Sequence, residues 1–149
     1  MSQSLAHVLV HIIFSTKNRV SFLQSPDLRF EVHAYLVGTL RALDCQSLRV
    51  GGVADHVHIL AALSRKISIA DLVKDLKTGS TKMVKSKVPS NFSWQTGYGV
   101  FSVSESSVAA VTRYIAGQEE HHKTRSFQEE FVAFLKKNHI EYDERYIWD

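Results

Sequence analysis

From Leu5 to Thr16 the chain reads Leu-Ala-His-Val-Leu-Val-His-Ile-Ile-Phe-Ser-Thr, nearly continuously apolar and rich in β-branched residues. A run of this kind suits a central strand buried on both faces, because a half-exposed strand would alternate with polar residues. Lys17-Asn18-Arg19 then leads outward. Ser25 and Pro26 open a helix, the serine as N-cap and the proline at the first position, where its missing N–H does no harm. Leu28, Val32, Tyr35, Leu36, Thr39, Leu40 and Leu43 recur at helical spacing and form its inner stripe.

Two strands follow, Ser47 to Val50 and His56 to Leu63, with Gly51-Gly52 expected to begin the turn between them. Ser68 and Asp71 mark the start of a second helix, with Ile69, Leu72, Val73 and Leu76 inward and Gly79 weakening its middle. Tyr98 to Val103 reads as a fourth strand. A third helix is expected from Ser104 or Ser106 to about His122. Ser126 with Glu129 opens a fourth helix, whose Phe127, Phe131, Phe134 and Leu135 point inward. The order β-α-β-β-α-β followed by helices implies an α+β, ferredoxin-like βαββαβ antiparallel sheet, with helices on one face plus C-terminal helices. That scaffold alone fixes no function.

The 149 residues, 44% hydrophobic with 7 Gly and 2 Pro, suit a single domain spanning 1–149. The lone Cys45 excludes a disulfide framework and a multi-cysteine zinc site, so a metal would need His, carboxylate or amide ligands. No signal peptide or membrane-length apolar run is visible, and a cytoplasmic location is expected. A net charge of +3 permits a nucleic-acid partner without requiring one.

His56-Val57-His58 lies on the third strand, where alternation sends both imidazoles to one face, about 7 Å apart along the strand and able to converge on one ion. Two bare buried imidazoles would each need hydrogen-bond partners, and a metal satisfies both. His7 and His11, four apart on the first strand, are either further support or simple core histidines. On the third helix Tyr114 and Gln118 are neighbours one turn apart. The Gln118 amide oxygen offers a third ligand, leaving positions open for substrate oxygens, as suits Mg²⁺ or Mn²⁺. A phosphodiester held there becomes more electrophilic, which lets tyrosine, with a reference pKa of about 10, act as a nucleophile. Taken singly, each feature also has an ordinary reading, a core histidine pair or a tyrosine at a helix margin.

Five blocks taken in order resemble the HUH single-strand transposases of small bacterial insertion sequences, the TnpA-like tyrosine enzymes. They are Phe14 to Arg19, Gly52 to Leu60, Trp94 to Ser104, Tyr114 to His122 and Tyr146 to Trp148. The resemblance implies that His56, His58 and Gln118 hold the metal and that Tyr114 forms a 5′-phosphotyrosine with single-stranded DNA. It also implies recognition of DNA hairpins and a homodimer with active sites shared between subunits. Ala54 departs from the proline that many relatives carry before the Asp-His pair. Lys74, Lys77, Lys82 and Lys85 on the second helix, with Lys17 and Arg19, are candidate DNA contacts or a solvated exterior. Two other readings stay open. One is a non-catalytic RNA-binding sheet. The other is a zinc hydrolase in which His121 or His122 completes a three-histidine site.

Overall fold

The computed structural model describes residues 2–149. Strand β1 (Leu9–Ser15) lies between β3 (His56–Ala62) and β4 (Gly99–Val103), and β2 (Gln46–Val53) pairs with the outer side of β3. All pairings are antiparallel and the order is β2-β3-β1-β4, the ferredoxin-like arrangement expected. Every residue of β1 is buried, as its composition requires. The strand begins at Leu9 rather than Leu5 because its neighbours run out at Ala62 and Val103, the partners of Leu9.

One face of the sheet is covered by α1 (Pro26–Ala42) and α2 (Ile69–Lys87). Ser25 Oγ accepts from the Leu28 N–H at 3.3 Å and Ser68 Oγ from the Asp71 N–H at 3.1 Å, so both helices start at the serines expected. Val32, Leu36 and Leu40 of α1 and Leu72, Leu76 and Val84 of α2 meet Val10, Ile12, Phe14, Val57 and Ile59 in an apolar core, whose buried Ser80 accepts from Trp94 Nε1 at 2.9 Å. Tyr35, placed in the α1 stripe by its spacing, is instead substantially exposed.

Alternation sends His11, Ile13, Ser15, His56 and His58 to the other face. That face is covered by α3 (Val108–Ala116), the single turn α4 (Gln118–His121) and α5 (Phe127–Lys137). Ser126 and Glu129 cap α5 reciprocally, and Phe127, Phe131 and Leu135 pack with Ile13 and Phe101 in a second apolar cluster.

Two local expectations are corrected. Gly51 and Gly52 do not begin the turn; β2 continues through them to Val53, and Ala54-Asp55 makes the turn. Their smallness serves packing instead. A Cβ on Gly51 would lie 2.8 Å from Ile115 Cγ2 and 3.0 Å from the Ile115 carbonyl oxygen, so the glycine lets α3 lie directly on the sheet. The third helix is also not continuous. Gly117 leaves helical geometry (φ −91°, ψ 14°) and separates α3 from α4, which places Tyr114 and Gln118 on different helical segments. Among the described residues no helix is long and apolar enough to cross a membrane.

Candidate active site

His56 and His58 are fully buried on the α3–α5 face, opposite Ser15 and Ile13 of β1. His56 Nδ1 lies 2.7 Å from Asp55 Oδ1 and its Nε2 lies 3.1 Å from Gln118 Oε1. His58 Nδ1 lies 2.8 Å from His11 Nε2, and His58 Nε2 lies 2.9 Å from Glu130 Oε1. Each imidazole is therefore anchored through Nδ1 and presents Nε2 to a common centre. This is how metal-binding histidines are oriented by their outer partners. His11 belongs to that support, whereas His7 lies outside the strand, exposed and paired with Glu105.

Glu130 completes the centre, and the sequence reading had not assigned it. It sits on α5 with its side chain fully buried. Oε1 faces His58 and, at 3.5 Å, His56. Oε2 accepts from the Tyr114 hydroxyl and from Gln118 Nε2 at 3.3 Å, and lies 3.2 Å from His122 Nε2. Its signal was available: Glu130 falls within the inward stripe of Phe127, Phe131 and Phe134, where a carboxylate has no reason to be unless it is partnered. Ligand atoms of His56, His58, His122 and Glu130 all lie within 4.8 Å of one another. The Gln118 amide oxygen borders the same centre. Imidazole nitrogens with a carboxylate and an amide oxygen form a chemically competent set for a divalent transition ion.

Electrostatics follow from burial and from this carboxylate. Burial opposes charge on His56, but the carboxylates of Asp55 and Glu130 outweigh it and raise the imidazole to about 9. Burial dominates at His58 and lowers it to about 4 despite Glu130. His11 is lowered by burial and by His58 to about 3. Glu130 itself is held ionised, well below the usual carboxylate range, because hydrogen bonds from the surrounding imidazoles exceed the desolvation that opposes them. Burial and the adjacent Glu130 together push the Tyr114 hydroxyl above its ordinary value. In this arrangement Tyr114 carries its proton and the carboxylate carries the charge.

Tyr114 is not sealed in. Half-buried, it lines a cleft between α3 and α5, with its hydroxyl 3.2 Å from His121 Nε2 as well as against Glu130.

The basic residues divide differently from expectation. Lys77 donates to the carbonyls of Gln95, Thr96 and Gly97 at 2.8, 3.0 and 2.7 Å and lies over the rings of Phe14 and Tyr98. Its charge is committed to holding the approach to β4, which is a structural use. Arg19 donates to the Trp148 carbonyl at 2.9 Å and lies over its ring, tying the C-terminal segment to the end of β1. Lys74, Lys82 and Lys85 are exposed on α2, across the sheet from the histidines. Lys17 is exposed just beyond β1, at the His56 end of the sheet.

Comparison with known proteins gives a consistent picture. The family model described as Transposase IS200 like matches residues 4–118, which includes His56, His58, Tyr114 and Gln118 and stops short of Glu130. The ISDra2 transposase TnpA of Deinococcus radiodurans is 28% identical over 121 residues, 74% of this chain and 83% of that protein. A crystal structure assigned as a transposase from Deinococcus radiodurans superposes with a TM-score of 0.64 at 24% identity, covering 79% of this chain and 98% of that one. A REP-associated tyrosine transposase bound to a REP hairpin gives a TM-score of 0.60 at 14% identity, covering 82% of this chain and 74% of that one. At these identities the two structural likenesses speak for the fold alone.

Proposed function

The chain belongs to the IS200-like transposases, and from that premise we propose that it cleaves and rejoins single-stranded DNA through a 5′-phosphotyrosine on Tyr114. The observation that carries this reading is the convergence on one carboxylate. His58 is hydrogen-bonded to one oxygen of Glu130, which also lies 3.5 Å from His56 Nε2, and the phenolic hydroxyl is hydrogen-bonded to the other, so the proposed metal ligands and the proposed nucleophile share one carboxylate.

His56, His58 and Gln118 hold a divalent ion in this reading, Mn²⁺ suiting the imidazoles and Mg²⁺ the oxygen ligands, with His122 and Glu130 within reach of the same centre. Such an ion neutralises phosphate charge and makes phosphorus more electrophilic. Asp55 and His11, in contact with Nδ1 of His56 and of His58, hold both rings with Nε2 turned inward. The Tyr114 oxygen attacks phosphorus, the bond to the 3′ oxygen breaks, and that oxygen takes up a proton from solvent to leave as a free 3′-hydroxyl. Glu130 Oε2, already accepting from the phenol, is the atom positioned to receive its proton. Because the tyrosyl ester conserves the bond energy, reversal rejoins strands without a nucleotide cofactor.

The DNA partner in this reading is single-stranded DNA with hairpin ends, and the REP-associated tyrosine transposase is bound to a REP hairpin. Lys17 lies nearest the histidine end of the sheet, while Lys74, Lys82 and Lys85 suit a duplex stem passing over α2. Residues 1–149 act as one domain. A homodimer with shared active sites remains part of the proposal, although within one chain Tyr114 already reaches the cluster.

Incubation of hairpin DNA with protein and Mn²⁺, followed by a denaturing gel, is expected to show a covalent protein–DNA band. Tyr114→Phe should abolish that band and leave hairpin binding intact. Persistence of the band in the variant would reject the assignment.

A further inference from the structure

The cleft beside Tyr114 has a volume of about 380 Å³, within the range of roughly 300–1,000 Å³ typical of ligand-sized pockets. Its walls come from α3 and α5, and α5 lies outside the residues matched by the family model. Ala110, Ala133 and Phe134 make it apolar, and the small side chains leave the space open. Phe134 is fixed by Phe101, which stacks on it at 5.3 Å, and by edge contacts with His11 and Tyr114. Arg125 and Lys137 supply two cations to the lining. Glu130 is the one carboxylate among the lining residues, and its charge is shared among His56, His58 and His122. Arg125 is in turn positioned by His122, whose Nδ1 lies 2.6 Å from the Arg125 carbonyl oxygen.

We propose that this cleft is a nucleotide subsite: it takes one base adjacent to the scissile phosphate against Phe134, with Arg125 and Lys137 on the neighbouring phosphodiesters. The inference rests on the proposed strand-cleavage reading, and its reasoning is geometric. A phosphate reached by the Tyr114 hydroxyl brings a nucleotide with it on each side, and Tyr114 and Glu130, the hydrogen-bond partner of that hydroxyl, both line the cleft. Its lining is also complementary to a nucleotide, because the Phe134 ring and small apolar walls accept a base while cations accept phosphate. An apolar wall selects a base by size and stacking more than by hydrogen bonding, so discrimination here should be between purine and pyrimidine.

An octanucleotide of thymidines carrying one 5-iododeoxyuridine tests the proposal by photocrosslinking in EDTA, where no cleavage competes. The crosslink is expected on the α5 peptide that contains Phe134 and should be lost in Ala133→Trp, which fills the cleft. Arg125→Ala with Lys137→Ala should reduce the log–log salt slope of octamer binding by about 0.7 for each phosphate contact removed. Unchanged Mn²⁺ affinity in each variant shows that the fold and the histidine site are intact. Should Ala133→Trp disturb it, Ala110→Leu narrows the cleft from the α3 side. A crosslink mapped outside α3 and α5, or a salt slope unaltered in the double variant, would overturn the subsite. A crosslink at Phe134 with no covalent adduct from hairpin DNA in Mn²⁺ would leave base binding in the cleft standing and remove the cleavage reading.

Discussion

The two faces of the sheet are equally buried and quite differently made. Toward α1 and α2, β1 and β3 present Val10, Ile12, Phe14, Val57 and Ile59, with no polar side chain among them. Toward α3 to α5 the same strands present His11, Ser15, His56 and His58, joined there by Gln118 and Glu130. The first face stabilises the fold by removing hydrocarbon from water. The second face bears the desolvation of a carboxylate and several imidazoles, offset by their mutual hydrogen bonds. A purely structural sheet has no need of that arrangement, and the proposed chemistry uses the one side that has it.

The contrast can be broken most severely by exchanging the expected consequences of mutation. Leu36→Ala, on the apolar face, is expected to lower unfolding free energy by about 2–5 kcal/mol. It should leave Mn²⁺ affinity unchanged, as checked by urea denaturation and calorimetric titration. A large loss of metal affinity would mean that the faces are not independent.

A smaller effect, with a pH signature, is expected on the polar face in the absence of metal. Because His56 is raised to about 9 in the fold, its contribution is complete below its unfolded value of about 6.5. It is lost as pH climbs through 9. His58 and His11 are lowered to about 4 and about 3, so they favour the fold above about 6.5 and oppose it as pH falls. Stability should therefore decline on both sides of neutrality. His56→Gln should remove roughly 3 kcal/mol of the alkaline decline while sparing the acid limb. An alkaline limb that survives in His56→Gln would place its origin elsewhere.

The smallest expected effect sharpens the comparison within the polar face itself. His11 touches His58 and stands outside the group of residues that could hold an ion. His11→Leu should weaken Mn²⁺ binding by about 10–100-fold and lower unfolding free energy by about 1–3 kcal/mol, because the buried His58 Nδ1 loses its partner. Wild-type affinity in that variant would reduce His11 to a packing residue.

The apolar face was largely legible in the sequence, because helical periodicity and the Ser25 and Ser68 caps are local signals read from neighbouring residues. The His56-Val57-His58 alternation was legible for the same reason. Glu130 was not recognised, since its partners lie as far as 72 residues away and only the fold brings them together. Lys77 and Arg19 read as candidate DNA contacts in the sequence because charge is visible there and its partners within the chain are not. Three carbonyls around one ammonium, or a guanidinium bound to the Trp148 carbonyl, exist only once the chain is folded. The break at Gly117 shows that a single glycine can end a helix that side-chain spacing alone would continue.

Mass spectrometry of the trypsin-digested adduct, formed from single-stranded hairpin DNA and Mn²⁺, addresses the shared shell most directly. The expected result is a 5′-phosphonucleotide on the peptide containing Tyr114, absent when His56 and His58 are both replaced by alanine. A nucleotide carried by any other residue, or undiminished labelling of Tyr114 without the two imidazoles, would contradict it.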